Sequence, residues 1–194
     1  DVFNTFSLGI CEGQQLDMDF ENARFVSQEE YLKMVEFKTA LLLKGALQIG
    51  AIIGEAKNSY ISLIGEFGLN LGIAFQLQDD LLDAFGDSNV FGKKLGGDIV
   101  SNKKTILVAK AFNNANSIQI EKLNRLYQSK DIEPAVKIAE VLKIFNETNV
   151  KEETEQIILN YYKKAIDSIA KIDTDPDRKE VLISLANKIM VRKN

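Results

Sequence analysis

Proline is nearly absent from this chain. Only Pro134 and Pro176 occur, so nothing before Pro134 locks φ and deletes a backbone donor. Long uninterrupted helices are therefore permitted over most of the sequence. Ser27-Gln28-Glu29-Glu30 matches the S-x-x-E capping box and places a helix start near Gln28. From there Tyr31, Met34 and Leu41 form one apolar series and Leu32, Val35, Leu42, Ala46, Ile49 and Ile53 another, with Gly54 as the stop. A second long helix is predicted over 60–85, ended by Gly86. Its Gly65, Gly68 and Gly72 share a face, which either admits a close helix contact or leaves room for a ligand. Helices are predicted near 104–115, 118–129, 134–146, 151–171 and 177–191, with Glu133 and Asp175 at N-cap positions ahead of the two prolines. Residues 86–103 read as one loop rich in Gly and Lys. No period-two strand, repeat or linker interrupts this pattern. The expectation is an all-α, multi-helix bundle forming a single domain over 1–194.

Residue content removes several chemistries. The sequence has no His and a single Cys, Cys11. That excludes a Ser-His-Asp triad, an imidazole zinc site and an intramolecular disulfide. It also suits a reducing, cytoplasmic setting. A net charge of -4 offers no overall basic field for a nucleic acid. The most apolar run, Thr39 to Gly54, is broken by Lys44 and Gln48. It reads as a buried core helix and is too short and too polar to span a bilayer. The first residues lack the positive region of a signal peptide.

The sharpest feature is Phe75-Gln76-Leu77-Gln78-Asp79-Asp80-Leu81-Leu82-Asp83. On a helix, Gln76, Asp79, Asp80 and Asp83 stand three or four residues apart, so their side chains are expected to converge. Three carboxylates there repel one another and face the negative end of the helix dipole. Apolar neighbours also reduce their solvation. A divalent cation relieves all three penalties, and oxygen-only ligands point to Mg²⁺ rather than zinc. The same spacing also fits a solvated acidic patch at a helix end.

Lys93, Lys94, Lys103 and Lys104 come directly after, with Gly92, Gly96 and Gly97 among them. Carboxylates for a metal beside several ammonium groups suit a diphosphate ligand. A solvated basic loop is the plain alternative. Lys38 shares a helical stripe with Met34, Leu41 and Gly45, and Thr39 is next to it. An ammonium on that stripe is either buried and paired or snorkels to its edge. Gln14 and Asp17 stand at i,i+3 near the start, where a cavity lining and an exposed face of an acidic first helix fit equally well.

In order, G-Q-x-x-D at Gly13 to Asp17, K-T at Lys38-Thr39, F-Q-x-x-D-D-x-x-D at Phe75 to Asp83, G-D-x-x-x-x-G-K at Gly86 to Lys93, G-x-D-I and N-K at Gly96 to Lys103 resemble trans-isoprenyl diphosphate synthases. That is the farnesyl and geranylgeranyl diphosphate synthase (polyprenyl synthetase) family. The resemblance covers essentially the whole chain and is strongest over 72–107. It implies an all-helical fold around a deep cavity, usually a homodimer. It also implies Mg²⁺-assisted ionisation of an allylic diphosphate and attack by isopentenyl diphosphate on the resulting cation. By position, Asp79, Asp80 and Asp83 become the metal ligands of the second aspartate-rich motif, with Asp79 the foremost. Lys38 and Lys93 hold the allylic diphosphate, and Lys103 joins the charged rim. Thr39 and Gln76 stabilise the cation and the bound diphosphate, and Phe75 lies beside them at the substrate.

The chain departs from the family in one respect. No D-D-x-x-D or D-D-x-x-x-x-D lies upstream of Asp79. The expectation is a C-terminal portion of the family's fold, lacking its N-terminal helices and the first aspartate-rich motif, and a poor catalyst alone. Its product is expected to be farnesyl diphosphate, because Gly9 to Glu21 looks most like bacterial farnesyl synthases. A non-catalytic subunit is the alternative, against which the retained charge cluster counts. A class I terpene cyclase fits worse, since the Lys-Thr and Gly-Lys elements are present and the usual second cyclase motif is not.

Overall fold

A computed structural model describes residues 2–86, 95–129 and 131–190. Among them no strand occurs, and the chain is an all-α bundle. The elements are α1 (Val2–Asn22), α2 (Gln28–Val35), a π turn (Glu36–Ala40), α3 (Leu41–Ile53), α4 (Asn58–Phe85), α5 (Gly97–Val100), α6 (Ile106–Asn114), α7 (Ser117–Gln128), α8 (Pro134–Glu147), α9 (Val150–Ala170) and α10 (Pro176–Met190).

The predicted starts rest on the caps that the residue types suggest. The Ser27 hydroxyl accepts from the Glu30 amide at 3.2 Å, and the Glu30 carboxylate accepts from the Ser27 amide at 2.8 Å. The Glu133 carboxylate accepts from the Val136 amide at 2.9 Å, with Pro134 in the first turn. The Asp175 carboxylate accepts from the Asp177 amide at 3.0 Å ahead of α10.

The long α4 is the axis of the bundle, with α3 on one flank and α9 on another. It is long and apolar enough, by length and composition alone, to cross a membrane. Its apolarity is used inside the fold, where Phe67, Leu71, Ala74 and Leu77 are buried in the core. The glycine face of α4 serves close helix contact. A Cβ on Gly68 would stand 3.0 Å from the Leu43 backbone, and one on Gly72 would stand 2.6 Å from Ala40 Cα.

Three expectations are corrected. The helix predicted from Gln28 to Gly54 is not one α-helix. Its middle widens into the π turn, closed by the Leu41 amide donating to the Glu36 carbonyl. The extra residue rotates the helix beyond it, so Leu42 and Ile53 of the second apolar series are exposed. Nor is α3 a buried core helix: it packs on α4 and α1 and its remaining face is uncovered, so of its residues only Gly45 is buried, while Leu42, Ile52 and Ile53 face out. The glycine-lysine stretch also carries a short helix, α5. It begins after Gly96, whose φ of +78° supplies the reversal that launches it.

Candidate active site

The π turn places Lys38 and Thr39 opposite the acidic end of α4. Two glycines hold that turn. A Cβ on Gly13 of α1 would stand 2.3 Å from the Lys38 amide nitrogen, and Gly72 of α4 closes on Ala40. Backbone thus packs on backbone from both sides, and the side chains of Lys38 and Thr39 are left to point along the gap.

That gap is a cavity of about 340 Å³. Asp79 and Asp83 of α4, Asp98 of α5 and Asp17 of α1 bring carboxylates to it, and Lys38, Lys103 and Lys104 bring ammonium groups. Thr39, Gln76 and Asp80 line it as well. The Lys38 ammonium lies 2.5 Å from the Asp17 carboxylate, and both side chains are about one-third exposed, at 36% and 33%. Lys38 is therefore paired at the cavity rather than either buried alone or splayed to solvent. The same contact decides between the two readings of Asp17: it lines the cavity.

Gln76 and Asp80 belong to a connected network. The Thr39 hydroxyl donates to Gln76 Oε1 at 3.2 Å, and Gln76 Nε2 donates to Asp80 Oδ1 at 3.1 Å. The other Asp80 oxygen accepts from the Tyr31 hydroxyl. Asp80 is buried, and burial pushes its carboxyl up to about 7, opposed by the hydrogen bonds from Tyr31 and Gln76. Burial also raises Tyr31 well above the ordinary phenol range, and the neighbouring Asp80 adds to the effect.

Asp83 has a different role. One of its oxygens accepts from the Asp98 amide at 3.0 Å, and its own carbonyl accepts from the Gly96 amide at 2.7 Å. It thereby fastens the start of α5 to the end of α4. Partial burial raises its carboxyl above the usual range, with the Asp98 amide opposing. Asp98 in turn meets the Lys103 ammonium at 2.7 Å, which raises the lysine's pKa. Burial lowers Lys104.

The predicted convergence of Asp79, Asp80 and Asp83 is therefore modified. All three line the cavity, but Asp80 is turned to Tyr31 and Gln76, because a buried carboxylate needs donors more than it needs its neighbours. Among the described residues no group of three acidic side chains is gathered tightly enough to hold a cation by itself. The donor set still suits Mg²⁺. That ion keeps several waters and binds through one or two carboxylates together with substrate phosphates, not in an all-protein cage. Asp79, exposed on the cavity wall, and Asp83 are the carboxylates that would hold it.

Phe75 is half-buried on α4 and is not among the residues lining the cavity. Lys93, with Lys94 and Gly92, lies outside the described residues. Sequence reasoning missed Tyr31, Met34 and Thr105 at the cavity. Periodicity marked the first two as core, and nothing local distinguishes a core tyrosine from one aimed at a carboxylate.

The family model for polyprenyl synthetase matches residues 1–145. A short chain isoprenyl diphosphate synthase of Methanothermobacter thermautotrophicus is 34% identical over 185 residues, covering 95% of this chain and 56% of the relative. A geranylgeranyl diphosphate synthase of Sulfolobus acidocaldarius is 35% identical over 181 residues, covering 91% and 53%. The solved geranylgeranyl pyrophosphate synthase of Corynebacterium glutamicum, complexed with isoprenyl diphosphate and magnesium, superposes with a TM-score of 0.90 at 30% identity, covering 100% of this chain and 55% of that one. The chain thus spans a little over half the length of these relatives, in sequence and in fold, and it belongs to the polyprenyl synthetase family.

Proposed function

We propose that this chain carries the diphosphate-binding, Mg²⁺-dependent side of a prenyltransferase site, in which isopentenyl diphosphate is condensed with an allylic diphosphate. The observation that carries this reading is one cavity lined both by Lys38, Lys103 and Lys104 and by Asp79, Asp83 and Asp98. A diphosphate needs both signs at once: ammonium groups for its oxygens and carboxylates for the cation it brings.

Lys38 binds the leaving diphosphate, released from Asp17 as the ligand enters. Lys103 and Lys104 close the opposite side. When bound, Mg²⁺ draws off the charge that builds on the diphosphate oxygens as the allylic C–O bond breaks. Fixed ammonium groups at the same oxygens stabilise that charge without reorganising. Thr39 and Gln76, linked by a hydrogen bond, turn oxygen dipoles toward the allylic cation. The isopentenyl double bond attacks that cation, and the departed diphosphate takes the proton lost at the end. No histidine is required.

The product proposed is of geranylgeranyl length or longer. The relative from Sulfolobus acidocaldarius is named for geranylgeranyl diphosphate, and another from Aeropyrum pernix for geranylfarnesyl diphosphate. The relatives named here do not confirm the farnesyl expectation. A homodimer belongs to the same proposal, supported by exposed Phe3 and Leu8 on α1 and exposed Leu42, Ile52 and Ile53 on α3.

The test is prenyl transfer by the purified chain with Mg²⁺, isopentenyl diphosphate and each allylic diphosphate in turn. It is run alone and beside a supplied segment bearing a first aspartate-rich motif. Transfer that Asp79→Ala abolishes supports the reading. Transfer indifferent to Asp79→Ala contradicts it, as does its absence under both conditions.

A further inference from the structure

Lys137 stands on α8, far along the chain from every motif that marks the cavity, yet it is buried at 4% exposure. A lysine at a helix surface ordinarily snorkels to water. This one turns inward. Its ammonium donates to Asn102 Oδ1 at 2.5 Å and to the Val100 carbonyl at 3.4 Å. It also lies 5.2 Å from the centre of the Tyr127 ring. Among the described residues no carboxylate pairs with it. Burial lowers its pKa, and Lys104 adds to the effect. Burying a charge in this way is unfavourable unless its donors are satisfied.

The groups that satisfy it share one turn. Val100 ends α5, so its carbonyl is one of the acceptors a short helix leaves orphaned. Asn102 is left-handed at φ +59°. Its carbonyl accepts from the Lys104 ammonium at 2.9 Å, and Lys104 lies 5.6 Å from the same Tyr127 ring. The next residue of α8, Ile138, closes the other end of α5: a Cβ on Gly96 would stand 2.8 Å from its side chain. So α8 grips the segment at both ends. Between and just beyond those grips lie Asp98, Lys103, Lys104 and Thr105, which line the cavity.

We propose that Lys137 is a positioning residue for the diphosphate cavity, clamping the 100–102 turn through Asn102 and Val100 so that Lys103 and Lys104 are held at the cavity that Asp79 and Asp83 of α4 also line. It touches no substrate. The clamp rests on the proposed diphosphate binding for its functional meaning, and on the packing of α8 against the turn for its physical content.

The test uses Lys137→Met, Asn102→Gly and the double variant. Asn102→Gly removes the acceptor while keeping a residue that tolerates positive φ. Two quantities are read: amide exchange at residues 101–103, whose amides bond back into α5, and Mg²⁺-dependent binding of inorganic pyrophosphate. Each single variant is expected to speed exchange at the turn and to weaken pyrophosphate binding by about tenfold, the low end of the range for one lost charge-assisted hydrogen bond because this one acts through the turn and not on the ligand. The double variant is expected to lose no more than either alone. Turn exchange unchanged in a folded Lys137→Met chain overturns the clamp, and so do single losses that add. If Lys137→Met does not fold, Asn102→Gly decides by the same exchange measurement. An unaltered chain that fails to bind pyrophosphate counts against the proposed function, and exchange at the turn still decides the clamp.

Discussion

The Tyr31 hydroxyl donates to the buried Asp80 carboxylate across forty-nine residues of sequence, joining α2 to the acidic end of α4. Replacing the tyrosine by phenylalanine leaves that oxygen without its donor in a buried setting. Tyr31→Phe is expected to lower stability by about 1–3 kcal/mol, read as a fall in Tm of several degrees. It should lower the affinity for Mg²⁺-pyrophosphate much less, since Tyr31 holds Asp80 and not the ligand.

Asp80 also predicts a pH dependence opposite to that of a salt-bridged aspartate. Burial raises its folded-state pKa to about 7, above the ordinary value of 3.8. The folded chain then binds more protons than the unfolded chain between those values, so stability falls as pH rises through that window. Asp80→Asn removes the titration. It is expected to raise Tm by roughly 3–8 °C at pH 8 and to have little effect near pH 4. Thermal melts across that range, with and without the substitution, check the sign.

The Lys38–Asp17 pair separates stability from binding. Both side chains are about one-third exposed, so the pair contributes under about 1 kcal/mol to folding. Lys38→Met is expected to change Tm by only a degree or two. Its pyrophosphate affinity should fall roughly 10- to 100-fold, the range for one lost hydrogen bond to a charged group. Calorimetric titration beside a melt distinguishes the two effects.

Glycine substitutions report on the π turn. Gly13→Ala and Gly72→Ala each drive a methyl into backbone, at 2.3 Å from the Lys38 nitrogen and 2.6 Å from Ala40 Cα. Each is expected to destabilise by about 1–3 kcal/mol and to weaken ligand binding, because the turn that presents Lys38 must shift. Gly50→Ala on α3 meets nothing within 4 Å. It should stabilise by up to about 1 kcal/mol. A melting series over the three variants is the check.

Much of this fold was legible locally. Ser27 with Glu30, Glu133 with Pro134, and Asp175 with Pro176 each announce a helix start that the hydrogen bonds then realise. The acidic series of α4 and the lysines after it announced the cavity. The features that local pattern could not carry are set at a distance. The π turn over Glu36–Ala40 has no signature of its own and depends on Gly13 and Gly72 closing on it from two other helices. Asp80 shares its stripe with Asp79 and Asp83, yet a tyrosine from α2 claims it. Lys137 reads as an ordinary surface lysine until Asn102 and Val100 are brought beneath it by the fold.

The proposed function requires that the cavity between the π turn and the end of α4 bind a diphosphate together with Mg²⁺. Isothermal titration of inorganic pyrophosphate into the chain tests it most directly, with and without Mg²⁺ and with Asp79→Ala alongside. Binding that requires Mg²⁺ and is lost in a folded Asp79→Ala chain is the predicted result. Pyrophosphate binding that is indifferent both to Mg²⁺ and to Asp79, or no binding by the folded chain, would contradict it.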